Sequence, residues 1–346
     1  MMMKQLTVIM GLSVSIGVSA ADIYGLNERD TQTIMKKYEK VITEFDKAIQ
    51  KVNLKENSDA LQREVSEKKR AIMETLTKDN GYLFVDVAPI YYPEDNRFYT
   101  TIEIVDKYHP KRLQFISQEA TQPTASGNRT HPPDLIESMI RYNETSVDLM
   151  MHDQIKIIPP CPVYHCTLGF EDPTLKPYLS IFNNGATQER SMILEALRSD
   201  PDPERRAAAA FLVGHFNDPH DIISILSSYV EDKDEKVRNN SMRVIGATIG
   251  KAKIRDIDIR PFLNVLDSPI SSDRNKALMV LRNVAESHAT HHLILQEAGH
   301  TLLNLIRLKQ PNNHDWAYQI LKKVSGRDFG PTNIAAWKAW VAASRV

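Results

Sequence analysis

The sequence is short of cysteine, of net charge and of long apolar runs, and each shortage excludes something. Two cysteines, Cys161 and Cys166, occur in 346 residues, and neither lies near residue 20, which excludes lipid attachment through an N-terminal cysteine. Their spacing is not Cys-x-x-Cys and no Cys-x-x-Cys-His occurs, so neither a thioredoxin-type redox pair nor a covalently attached haem is indicated. The formal net charge is −1, too balanced to leave an electrostatic footprint for phosphate backbones, so nucleic acid is not an expected partner. Beyond the first twenty residues no apolar stretch reaches the roughly 20 residues that span a bilayer, and no stable membrane insertion is expected. Serine-nucleophile elbows, phosphate-cradling glycine loops and His-Glu-x-x-His are also missing, so the reading is a protein without catalytic residues or cofactor.

What is present is an ordinary soluble composition, 42% hydrophobic and 25% charged, in a chain long enough for two domains. Lys4, the apolar run Leu6 to Val18 and the small residues Ser19 and Ala20 have the three-part layout of a secretory signal peptide. Residues 1–20 are therefore expected to be cleaved, which places the mature chain in the periplasm or outside the cell.

The second half repeats itself. The stretch from Asp202 to Leu212 aligns with Asp234 to Val244 at an offset of 32 residues, Arg238 to Ile245 aligns with Arg274 to Leu281 at 36, and a worn copy follows at Ala317 to Leu321. Within the second copy Val237, Ser241, Val244, Ile245 and Thr248 fall on one helical face. Further amphipathic segments lie between copies, at Ile222 to Leu226, Phe262 to Leu266 and Leu295 to Ile306. The unit is a helical hairpin, and helices of this length must stack to hide their apolar faces. Asp-x-x-x-Arg with a small residue three positions later, as in Asp234, Arg238 and Ser241, resembles the HEAT-repeat signature. Asp202, Arg206 and Ala209 follow it, and the third copy keeps Arg274 and Ala277 without the aspartate. The resemblance implies that the aspartates cap their helices and that Asp202, Arg206, Asp234, Arg238 and Arg274 form a ladder of bonds along the stack. It also implies a scaffold or binding surface. Some HEAT-repeat enzymes hold iron through His-Glu pairs, and no His-Glu dipeptide occurs here. The closing segment, with Trp337 and Trp340 three apart on one helix, is expected to cap the open end of the stack; the alternative is an exposed aromatic docking patch.

In the first half, residues 27–55 and 58–78 carry narrow apolar stripes, Ile34 to Ile49 and Leu61 to Leu76, and predict a charged helical hairpin. Tyr82–Tyr92 and Arg97–Val105, separated by turn formers, predict a β-hairpin with Thr101, Glu103 and Asp106 on a solvated face and Ile102, Ile104 and Val105 on a packed one. Two helices, Gly81 and a hairpin resemble the last four elements of a POTRA module, although no preceding strand is evident. Residues 117–133 read as a polar linker and 134–153 as a helix.

Cys161 and Cys166 are expected to form a disulfide in an oxidising compartment. A metal site using Cys161, His165 and Cys166, completed by His131 or His152, is the alternative. His288 and His292, at i and i+4 with His291 and His300 nearby, are a weaker metal candidate. The fold expectation is mainly α: a signal peptide (1–20), an N-terminal α+β module of helical hairpin and β-hairpin (22–116), a linker (117–133), a helix with a disulfide loop (134–169) and a HEAT-like α-solenoid with its cap (170–346). The functional expectation is an exported, non-enzymatic scaffold for a protein or peptide partner. The alternatives are a metal- or redox-linked protein and an envelope-assembly factor with a POTRA-like module.

Overall fold

A computed structural model describes residues 21–52, 58–92, 94–117, 134–151 and 160–344. The expected signal peptide, residues 118–133 of the expected linker, His131 and His152 lie outside these residues.

The chain opens with β1 (Asp22–Tyr24) and then α1 (Glu28–Lys37), α2 (Glu39–Ile49) and α3 (Asp59–Asn80). Asn27 and Ser58 cap α1 and α3 with their side chains, and Gly81 closes α3 in the left-handed conformation at φ 65°. The single helix expected over 27–55 is broken at Tyr38, whose backbone leaves the helical region at φ −112°, ψ 15°. Its hydroxyl is held at the end of α3, 3.1 Å from both Asp79 Oδ2 and Asn80 Nδ2. Next come β2 (Phe84–Tyr92) and β3 (Arg97–Val105), antiparallel from Phe84 opposite Val105 to Tyr92 opposite Arg97. β1 pairs in parallel with β3, giving a sheet of order β1-β3-β2. A three-residue strand carries too little periodicity to be read from sequence. Ile42, Phe45, Ile72 and Leu76 of the helices pack with Val85, Val87, Ile102 and Ile104 of the sheet. The opposite face is not solvated as expected: Thr101 and Glu103 are buried, and Val105, expected beside Ile102 and Ile104, is buried on this face with them.

What covers that face is the rest of the chain. After a 3-10 turn at Pro110–Phe115 come α4 (Leu135–Met151), α5 (Lys176–Gln188), α6 (Arg190–Ser199), α7 (Pro203–Val213), α8 (Pro219–Ser227), α9 (Glu235–Ala252), α10 (Arg260–Val265), α11 (Ser271–Val284), α12 (His291–Leu305), α13 (Pro311–Ser325) and α14 (Ile334–Ser344). α6–α7, α8–α9, α10–α11 and α12–α13 are the repeating hairpins, and their second helices pack on one another in series, α7 on α9 on α11 on α13. Asp202, Asp218 and Asp234 accept backbone N–H groups at the starts of α7, α8 and α9. The small residues three positions after the repeated arginines, Ala209, Ser241 and Ala277, are fully buried, where a larger side chain would push neighbouring helices apart. α4 packs on α7 as the later second helices pack on one another, so the layered stack starts upstream of residue 170. At the other end α14 lies on α12. Trp337 is buried there and donates from Nε1 to Gly330 O at 2.8 Å, which makes it part of a cap and not an exposed patch.

Two aromatic side chains of the N-terminal module, Tyr24 and Phe115, enter the apolar core of the stack. Around them Arg112 donates to Ile104 O at 2.7 Å and to Asp267 O at 2.9 Å, Lys309 N donates to Asp22 Oδ2 at 2.5 Å, and Arg307 pairs with Glu28 at 3.0 Å. The sheet is therefore enclosed between its own helices and the ends of the repeat hairpins.

Candidate binding groove and the arginine rungs beside it

Each repeated arginine sits in the first turn of a second helix and reaches back to its own entry loop. Arg206 Nη1 donates to Asp200 O at 3.0 Å, Arg238 Nη1 to Asp232 O at 2.8 Å and Arg274 Nη1 to Ser268 O at 2.7 Å, six residues upstream each time. The remaining nitrogens reach outward. Arg206 Nη2 lies 3.5 Å from Asp232 Oδ1 of the next hairpin. Arg238 takes Asp273 Oδ2 of the hairpin after that, through Nε at 3.0 Å and Nη2 at 2.7 Å. Arg274 instead leaves the stack, and both Nη atoms hold the carboxylate of Glu103 on β3, at 3.0 and 2.5 Å. Arg238 and Arg274 are 0% exposed and Glu103 1%, so these are desolvated, charge-assisted bonds. Burial pushes the carboxyls of Glu103 and Asp273 up, and the facing guanidiniums oppose the rise.

The acceptors thus differ from those that the repeat resemblance implies. Asp202 and Asp234 cap their helices, while the outward bonds go to Asp232, Asp273 and Glu103. The repeated Asp-x-Asp at Asp200–Asp202 and Asp232–Asp234 was a readable signal for the first: Asp200 and Asp232 each accept the N–H of the capping aspartate at 3.0 and 2.8 Å. Glu103 carried none, because its partner lies 171 residues away.

Cys161 and Cys166 are joined in a disulfide with Cα atoms 5.9 Å apart, so neither sulfur is a thiolate donor in this state. Lys251 at the end of α9 donates to the carbonyls of Cys161 and Val163 at 3.0 and 2.7 Å, which fixes the loop against the stack. The loop presses His165 onto Phe211 of α7, with ring centroids 4.6 Å apart. Desolvation, then the charges of Arg243, His215 and Lys276, pull His165 down to about 3. His215, bonded to Asn183 at 2.9 Å, is pulled down to about 4 by burial. The other histidine cluster is not assembled on one face: His288 belongs to a 3-10 turn (His288–Thr290) and His291 bonds to Ala285 O at 3.0 Å. Among the described residues no cluster of three potential metal ligands occurs.

Two predictions follow from this loop and its histidine neighbours. Reducing the disulfide opens a loop of six residues, which chain-entropy arguments value at about 2 kcal/mol. Urea unfolding with and without a reductant should show that loss, and coincident curves would contradict a clamp. Because His215 stays neutral in the folded state down to about 4, protons bind the unfolded chain first below its ordinary 6.5. Stability is thus complete at neutral pH and falls with acidification, by up to about 1.4 kcal/mol per pH unit through this one ring. His215→Gln should be less stable at pH 7 yet lose less between pH 6.5 and 4; parallel losses would contradict the assignment.

Beside the loop a groove of about 430 Å³ runs across α4, α7, α9 and the start of α11. Ala207, Ala208 and Phe211 form its floor, Ile140 and Val147 an apolar wall, and Arg243 projects into it. Val147 is 49% exposed, unusual for a valine in a packed layer. Asn240 donates to Ala207 O at 2.9 Å, which leaves its carbonyl oxygen free to accept. At the rim Glu204 lies 3.7 Å from Lys236, and Glu235 accepts from Ser272 at 2.7 Å. Such a surface can hold an extended segment by apolar contact and by bonds to its backbone. No helix among the described residues is long and apolar enough to cross a membrane.

Residues 191–282 match the family model described as HEAT repeats, a span that runs from α6 almost to the end of α11. No curated protein and no solved structure matches the chain. Paired helices in series, an arginine at the same place in three of them and the family match over those three make residues 191–282 an array of HEAT repeats.

Proposed function

We propose that the chain is an exported, non-enzymatic scaffold whose stacked second helices bind a protein partner. The observation that carries the reading is the groove across α4, α7 and α9, which an apolar floor, amide groups and one guanidinium line together. HEAT repeats are typical of protein-interaction scaffolds, and neighbouring repeats offer a continuous surface that a single hairpin lacks. Export is supported by the layout of residues 1–20 and by the Cys161–Cys166 disulfide, which an oxidising compartment preserves. A photo-crosslinking residue placed at Asn239 beside the groove should capture a discrete partner in cells that export the chain. The same residue at Ser224, exposed on the first helix α8, should not. Equal labelling from both positions, or none from Asn239, would overturn the reading, and recovery of uncleaved chain from the cytoplasm would overturn export.

A second reading has an observation of its own. β1 supplies the strand that the sequence did not show, so α1, α2 and α3 now cover a sheet of order β1-β3-β2. This favours a POTRA-like module in an envelope-assembly factor over a bare hairpin. Loss of envelope-protein assembly on deleting the chain, restored by wild type and not by a β2 variant with two added prolines, is the expected outcome. Full restoration by that variant would count against it.

A further inference from the structure

On the second-helix layer the position that holds Phe211 in α7 and Met279 in α11 holds Arg243 in α9. An arginine there stands between two apolar side chains of the row, before Gln319 in α13. It differs from the rung arginines in having no carboxylate on its guanidinium among the described residues, and its Nε, like that of Arg274, is buried without a hydrogen-bond partner there. Burial holds its guanidinium below the usual range, with no carboxylate opposing the fall. Lys276, on the facing side of α11, donates to Asn275 Oδ1 at 2.7 Å and has no carboxylate either among the described residues. Burial, then the charge of Arg243, brings it down to about 8. Three glutamates line the groove, Glu144, Glu204 and Glu235, and none of them pairs with Arg243: Glu204 lies beside Lys236 and Glu235 accepts from Ser272. Among the described residues the groove therefore holds a guanidinium with no paired carboxylate, in a setting where burying an unpaired cation opposes folding. Such a group is kept where a ligand supplies the missing charge, because a planar fork in an apolar surround binds a carboxylate bidentately.

We propose that Arg243 anchors an aspartate or glutamate side chain of an extended segment of the partner protein, with the segment lying along the groove over Ala207, Ala208 and Phe211. This rests on the scaffold reading and adds the chemistry of its partner. Asn239 and Asn240 flank the anchor as amides suited to a peptide backbone, and Val147 supplies the apolar wall. Lys276 adds a second, softer positive charge behind it.

The test uses a random 12-residue peptide library selected on the full mature chain, with enriched peptides remade as fluorescent probes. Each probe is compared with its Asp→Asn or Glu→Gln version on wild type, Arg243→Met and Val147→Glu. Expected are enriched peptides sharing an acidic residue, a loss of ten-fold or more on amidation, the same loss on Arg243→Met, and no further loss when the two changes are combined. Val147→Glu, which puts a negative charge at the mouth without touching the arginine, should weaken the acidic probes and not their amides. Arg243→Met should melt at or above the wild-type temperature, since it removes an unpaired buried charge. Probes that bind Arg243→Met as tightly as wild type, or that lose nothing on amidation, overturn the carboxylate anchor while leaving the scaffold reading intact. Failure to enrich any peptide overturns the anchor, and joined to an absence of crosslinks from Asn239 it overturns the scaffold reading as well.

Discussion

Replacing Arg274 by alanine should cost about 3–5 kcal/mol of folding stability, one of the two largest effects expected of any single change in this chain. The guanidinium is 0% exposed and holds both oxygens of Glu103, itself 1% exposed, so truncation leaves a carboxylate with no counter-charge in a dry interface. It also frees the carbonyl of Ser268 and removes the cation that stands 4.1 Å from the centre of the Tyr24 ring. The loss is a penalty of isolation more than the net worth of the pair, which yields a second, sharper expectation. Arg274→Met with Glu103→Leu should recover most of the stability lost by either alone, because an apolar pair of similar volume needs no desolvation. Urea unfolding of the two single variants and the double checks both statements. Additive losses would contradict a direct buried pair.

Arg238→Ala belongs to the same range, about 3–5 kcal/mol, for a related reason. Its guanidinium makes five hydrogen bonds, to Asp273 twice and to the carbonyls of Asp232, Lys233 and Phe115, so one side chain ties two hairpins and the N-terminal module together. Asp273, equally buried, would be stranded. Arg206→Ala should cost less, about 1 kcal/mol, since its outward contact is a single 3.5 Å approach to Asp232. Equal losses at Arg206 and Arg238 would mean that the seating of the module contributes nothing to the upper rung.

The solenoid was legible because its determinants are local. Capping aspartates, prolines at first helical positions and apolar residues at helical spacing recur at Asp202, Asp234 and their neighbours, and the hairpins form where those signals stand. The β-hairpin was legible for the same reason. What was not legible depends on distance along the chain. Glu103 alternates with Ile102 and Ile104 and so reads as solvent-facing, a correct reading of a lone hairpin; only the approach of Arg274 buries it. β1 is three residues long, and its pairing with β3 is decided by the sheet it joins. Asp273 escaped notice because it stands next to Arg274 and not four residues before it, where the repeat pattern places its acid. In the groove, the signal for Arg243 is its place in line with Phe211 and Met279, which only the repeat register makes visible.

The seating of the N-terminal sheet on the arginine rungs has a mechanical meaning. A free repeat array opens from its ends, each hairpin held only by its neighbours. Here Arg112, Arg238 and Arg274 bind segments far away in sequence, at Asp267, Phe115 and Glu103, and link the middle of the stack to a separate apolar core. That linkage fixes the second helices α9 and α11 in register beside the groove, so the binding surface and the module should gain and lose order together.

Amide hydrogen exchange on wild type and Arg274→Ala tests this claim most directly. The account predicts that amides of β3 and of α11 exchange slowly and at similar rates in wild type, and that Arg274→Ala speeds both together while α13 keeps its protection. Unchanged protection of β3 in the variant, with α11 alone faster, would show the sheet and the stack to be independent and would contradict the account.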